Sequence, residues 1–169
     1  MMKTQVYLAF YKGKKQGWKP KAVIARLSDW LTRKLTKGIY SHCEIVIKAE
    51  GEEHYQCYSS SIRDGGVRQK TMLLDSDKWD LIELFGVNEA QIIRYFNQTQ
   101  GSRYDWFGAI GVVFGIPHAR SKFFCSEWCA NAINGGTQGW RFSPNDLAAI
   151  FRVKQNEKGK ADRVWQSSS

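Results

Sequence analysis

This chain has to bring together a buried strand that starts at a histidine and a helix that starts at a cysteine. No other feature constrains its fold as much. Ile39-Tyr40-Ser41-His42-Cys43-Glu44-Ile45-Val46-Ile47 reads as the start of a buried strand. In Lys122-Phe123-Phe124-Cys125-Ser126-Glu127-Trp128-Cys129-Ala130-Asn131-Ala132-Ile133 a short aromatic segment turns into a helical pattern, and Cys125 falls on the first turn. A thiolate at a helix N-terminus is stabilised by the helix dipole and free N–H groups, and a neutral imidazole alongside can take the thiol proton. A cysteine taken alone is far more often a small buried hydrophobe than a nucleophile. Here the helix-start cysteine, the strand-start histidine and their polar neighbours together point to Cys125 as nucleophile and His42 as base.

Hydrophobic residues make up 43% of the 169 and aromatic residues 14%, enough to bury one sizeable core. A single domain over residues 1–153 is expected, followed by a polar, frayed tail over residues 154–169. The formal charge of +9 favours an anionic partner, whether nucleic acid, an acidic membrane surface or an anionic wall polymer. The basic residues are dispersed, however, and read as solvated faces: Lys12, Lys14, Lys15, Lys19 and Lys21 in one group, Lys154, Lys158, Lys160 and Arg163 in the other. Charge alone suggests a non-enzymatic basic binding module as an alternative, but no helix-turn-helix, zinc-finger or RNA-recognition signature accompanies these residues, which disfavours nucleic acid.

The stretch Met1 to Phe10 is too short and lacks the small-residue cleavage site of a signal peptide. The longest apolar window, Trp106 to Ile116, is about half of the ~20 residues a membrane span needs. A cytoplasmic protein without a transmembrane segment is expected, released or carried into a virion only by a partner or by lysis. Its four cysteines should then be reduced. His42, Cys43, His54, Cys57, Cys125 and Cys129 offer zinc-ligand atom types, but no Cys-x-x-Cys pair occurs, and neither metal nor cofactor is expected.

Along the chain, Val6 to Tyr11 reads as a first strand. A helix starting at Pro20 carries Ile24, Leu27, Trp30, Leu31 and Leu35 at spacings of three and four; this predicts a core-packing helix, with a membrane-surface helix as the alternative. Gly38 ends it. Gly51 turns the His42 strand into a returning strand from Tyr55 to Ser59, and a polar loop follows through Asp64-Gly65-Gly66-Val67. Leu81 to Phe85 predicts a strand, Glu89 to Gln100 a helix, and Ser143-Pro144-Asn145-Asp146-Leu147 the start of a short helix with proline at its first position.

With His before Cys, four matches in order span nearly the whole domain: Tyr40-Ser41-His42-Cys43, Tyr104-Asp105-Trp106, Phe124-Cys125-Ser126-Glu127 and Ser143-Pro144-Asn145-Asp146-Leu147. In this the chain resembles the circularly permuted branch of the NlpC-type papain-like superfamily, the YiiX-like cysteine hydrolases, which also include the lecithin:retinol acyltransferase relatives. The resemblance implies an α+β fold in which an antiparallel sheet or barrel carrying the histidine packs against a helix carrying the cysteine. It implies nucleophile and base roles for Cys125 and His42, and amide or ester hydrolysis, or acyl transfer, through a thioester. Peptidoglycan peptides and acyl lipids are the implied substrate classes, and a phage or prophage origin fits similar small proteins.

The third catalytic member departs from the family pattern. By spacing, the family's glutamate falls on Tyr58, which carries no carboxylate at neutral pH. Glu44, two residues after His42 on the same strand face, lies within reach of the imidazole directly or through one water; a charge at a sheet rim is the alternative. His54 is expected about 20 Å along the strand from His42 and is set aside. Tyr104 and Trp106 are candidates to line a substrate groove, with core packing as the default. The oxyanion hole would come from backbone N–H groups, including that of Cys125.

Overall fold

A computed structural model describes residues 4–13, 20–105 and 122–167. Their order is β1 (Thr4–Tyr11), α1 (Pro20–Leu35), β2 (His42–Ala49), β3 (Tyr55–Ser61), β4 (Gly66–Met72), β5 (Trp79–Glu83), α2 (Glu89–Thr99), β6 (Arg103–Tyr104) and β7 (Lys122–Phe123). Then follow α3 (Cys125–Asn134), a 3-10 turn (Gly139–Arg141) and α4 (Pro144–Ser167). The architecture is α+β. The strands form one open sheet in the order β5-β1-β2-β3-β4-β6-β7, antiparallel throughout except for the short β6–β7 pair. Among the described residues the sheet does not close into a barrel, and β5 and β7 stand at its two ends.

Alternation along the strands divides the burial between two faces. Leu8 and Phe10 of β1, Cys43 and Ile45 of β2 and Tyr58 of β3 pack into one cluster with Ile92 of α2 and Trp128 of α3. The Trp128 indole N–H donates to Thr99 Oγ1 at 2.9 Å, so the largest fully buried side chain also has its polar atom satisfied. On the opposite face Ala9, Val46 and Cys57 form a smaller cluster beneath partly buried Tyr7, Tyr55 and Trp79. His42 and Glu44 stand on that second face, at the end of β2 that pairs with Tyr11 and Ala9.

Three expectations are corrected. Residues 66–72, with Gly66 and Val67 expected in a loop and the rest in no element, pair with β3 from Ser61–Gly66 to Tyr55–Met72. Their run Gly-Val-Arg-Gln-Lys-Thr-Met is polar because most of its side chains face solvent or ion pairs, so hydrophobic periodicity is silent there. In α1, Leu27 and Trp30 are 62% and 55% exposed, so that part of the apolar stripe does not pack on the core. The side chains of Ile24, Leu31 and Leu35 lie outside the described residues. The last helix is not short, since α4 runs from Pro144 to Ser167 through residues expected as a frayed tail. Residues 152–160 are exposed, and the Lys, Glu, Gln and Arg among them are good helix formers. No helix among the described residues is long and apolar enough to cross a membrane.

Candidate active site

The entrance to β2 is set from a distance of over a hundred residues. At the start of α4, Asn145 Oδ1 accepts the Tyr40 N–H at 3.0 Å, and its Nδ2 donates to the Tyr40 carbonyl at 2.9 Å. Gly38 leaves room for this grip, because a Cβ there would fall 2.1 Å from the Asn145 side chain. Asp146 Oδ2 accepts from the Ser143 N–H and hydroxyl at 2.8 and 2.7 Å, which stabilises the first turn of α4. The Ser-Pro-Asn-Asp-Leu run therefore both starts a helix and places the backbone two residues ahead of His42.

α3 is held at both ends. Ser60 Oγ donates to the Phe123 carbonyl at 2.6 Å, and Gln91 Nε2 donates to the carbonyls of Ala132 and Ile133 at 2.8 and 2.7 Å. Phe124 occupies the N-cap position and supplies no side-chain acceptor, so no cap side chain occupies the first-turn amides. Glu127 takes the Phe124 main-chain hydrogen bond, half of a capping box. Burial raises its carboxyl to about 7, the Phe124 hydrogen bond opposes this, and the charge of Asp105 adds to it.

These two anchored ends bring Cys125 to His42. His42 Nε2 lies 3.0 Å from Glu44 Oε1, and the same imidazole is coupled to Cys125 by charge and hydrogen bonding. Burial pulls the imidazole down, but the Cys125 charge and hydrogen bond, with Glu44 behind them, outweigh it and raise His42 to about 9. Cys125 moves the other way. A hydrogen bond from the Cys43 thiol is the leading cause, burial opposes it, and the His42 charge and hydrogen bond carry Cys125 well below the ordinary thiol range. Cys43 itself is pushed well up by burial and so remains a thiol able to donate. The arrangement favours a thiolate–imidazolium pair at neutral pH.

Glu44 is only 2% exposed. Burial would raise its carboxyl, yet hydrogen bonds with His42 and Arg68 hold it at about 2. Arg68 grips it with both terminal nitrogens, at 2.9 Å to Oε2 and 2.6 Å to Oε1, while its Nε donates to Asp64 at 2.9 Å. His42, Glu44, Arg68, Tyr11, Trp79 and Tyr104 help line a cavity of about 480 Å³. Tyr104 thus stands beside the site, close enough that the charge of Cys125 raises its hydroxyl after burial has done so. Trp106 lies outside the described residues.

Tyr58 is not brought to the histidine. It pairs with Ile45, an odd number of residues from His42, so it points to the other face. There its ring meets Phe96 at 5.2 Å and its hydroxyl donates to Gln56 at 2.9 Å. His54 is exposed in the turn at the far end of the β2–β3 hairpin. No group of three or more His, Cys, Asp or Glu placed to hold a metal occurs among the described residues, and the four cysteines are free thiols. Arg68 carries no local signal that marks it as a site residue in the sequence, and Cys43 and Asn145 fall within the matched motifs without a role assigned to either. Only the register of β4 on β3, and the docking of α3 and α4, give them their roles.

Limiting iodoacetamide at mildly acidic pH should label Cys125 before Cys43, Cys57 and Cys129, since burial raises Cys43 well up and Cys57 to about 12. Peptide mapping that found any of the other three labelled first would remove Cys125 as nucleophile. Glu44→Gln should reduce turnover at least about 100-fold by removing the charge that steadies the imidazolium, whereas Tyr58→Phe should stay within about twofold. The reverse ranking in steady-state kinetics would return the orienting role to the tyrosine.

No protein-family model matches the chain, and no curated protein matches it.

Proposed function

We propose that the chain is a cysteine hydrolase of the permuted papain-like type, acting on an acyl centre through a thioester. The observation that carries this reading is the linked series Cys125, His42, Glu44: a thiol held low, an imidazole held high and a buried carboxylate 3.0 Å from the ring. In this reading the Cys125 thiolate attacks the acyl carbon, and the oxyanion that forms is met by first-turn amides of α3. His42 then gives its proton to the leaving amine or alkoxide as the carbon–heteroatom bond breaks. A water, losing a proton to the now neutral imidazole, adds to the thioester and releases the acid and the Cys125 thiolate.

A cell-wall peptide amide is the favoured substrate, because charged and polar side chains such as Asp29, Arg63, Asp64 and Lys70 wall the cavity beside His42 and suit a polar peptide. The exposed Val23, Leu27 and Trp30 on α1 favour a second reading, in which the acyl group comes from a lipid. Intact-mass measurement after incubation with muropeptides, acyl lipids and simple thioesters tests both. An acyl adduct that maps to Cys125 is the expected result, and its mass names the substrate class. Turnover of any of these with no dependence on Cys125 would overturn the proposal.

A further inference from the structure

Arg68 takes no part in the reaction as proposed, yet it holds the Glu44 carboxylate through both oxygens, whereas His42 meets only one of them. It belongs to β4, and β3 lies between it and the strand of Glu44. Its partner in register on β3 is Ser59, fully buried and small, whose hydroxyl is turned to the Cys43 carbonyl at 2.8 Å. A larger residue at that point would obstruct the guanidinium; serine lets it cross to β2. On the outer side Asp64 accepts from Arg68 Nε and in turn pairs with Lys70, so the guanidinium plane is held from behind as well.

Such a pair adds little net stability. Removing two charges from water costs several kcal/mol per ion, which their attraction and hydrogen bonds return only in part. Its distinct effect is on the state of Glu44. Without Arg68, only the His42 imidazolium on one oxygen would be left to hold so buried a carboxyl ionised, and burial would draw the proton back toward the pair. The carboxyl would then no longer offset the charge of an imidazolium beside it. The titratable and charged groups facing Glu44 are His42 on its own strand, Cys57 on β3 and Arg68 on β4; Asp64 and Lys70 stand behind Arg68, and Asp29 of α1, Arg63, Tyr11 and Tyr104 line the same cavity.

We infer that Arg68 is the positioning residue that keeps Glu44 ionised and aimed at His42, so that the thiolate–imidazolium pair at Cys125 depends on a side chain two strands away. This rests on the proposed Cys–His chemistry, but its test needs no substrate. The rate of Cys125 alkylation by iodoacetamide is followed from about pH 5 to 9 in the full chain and in Arg68→Gln, Arg68→Lys, Glu44→Gln and the Glu44→Gln/Arg68→Gln double variant. In the parent the rate should stay nearly flat through the acid range. In Arg68→Gln its acid limb should move up by at least about one pH unit, a roughly tenfold loss of rate near pH 6, with Arg68→Lys in between because a lysine restores the charge without the two-pronged grip. In the Glu44→Gln background, Arg68→Gln should change nothing further, which also guards against the single variant failing to fold, since the double variant leaves no buried carboxylate unpaired. An unshifted limb in folded Arg68→Gln, or an equal added shift in the Glu44→Gln background, would overturn the inference. A shifted limb in a chain that forms no acyl adduct would support the positioning role and count only against hydrolysis.

Discussion

Cys125→Ser should lower turnover by about 10⁴-fold or more on the substrate that the parent cleaves, with the fold unchanged. The substitution keeps size and shape at a position that is 5% exposed, so packing around the start of α3 is retained. What is lost is the anion. A serine hydroxyl is far less acidic than a thiol, and the Cys43 hydrogen bond and His42 charge that hold Cys125 low cannot make an alkoxide at neutral pH. Comparing parent and variant on purified sacculi and on mixed acyl lipids also separates the two substrate readings. New amino groups released from sacculi by the parent alone would identify a peptidase, and fatty acid released by the parent alone would identify a lipid acyl hydrolase. Equal activity of the two proteins on both would sink the enzyme reading.

His42→Ala should be nearly as severe in turnover, and its signature should differ. Without the imidazolium, Cys125 loses one of the causes holding it low, so its alkylation rate near pH 6 should fall at least about tenfold, while Cys125→Ser removes the reactive thiol outright. Thermal unfolding supplies a second readout. His42 is raised in the fold to about 9, so its contribution to stability is fully present below the ordinary histidine value of about 6.5 and is lost as pH rises through about 9. Cys125, held low in the same fold, adds the opposite slope below the ordinary thiol value of about 8.5, so the two cancel from about pH 6.5 to 8.5, and melting of the parent should decline on their account only as pH rises beyond that. A decline that already begins near pH 6.5 would mean that Cys125 is not a thiolate in the native state.

Both predictions rest on residues that the amino-acid sequence alone makes legible. The β-branched run after His42 and the helical pattern after Cys125 are local signals, so a strand start and a helix start can be read from neighbouring residues. Glu44 is readable for the same reason, since the two-residue period of a strand puts it on the face of His42 whatever the rest of the chain does. Tyr58 misleads because spacing along the chain does not tell which face a strand presents. That depends on register, and pairing with Ile45 turns the tyrosine to the helical side.

Local sequence, then, determined the strand and helix starts, the residues proposed as nucleophile and base, and one carboxylate near the histidine. Tertiary structure alone decided that α3 lies where its first residue meets His42, that Asn145 grips Tyr40 from the far end of the domain, and that Arg68 reaches Glu44 across β3. The physical reason is the range of the interactions. Periodicity and capping act over three or four neighbouring residues, whereas burial, register and ion pairing depend on which distant segments the folded sheet places side by side.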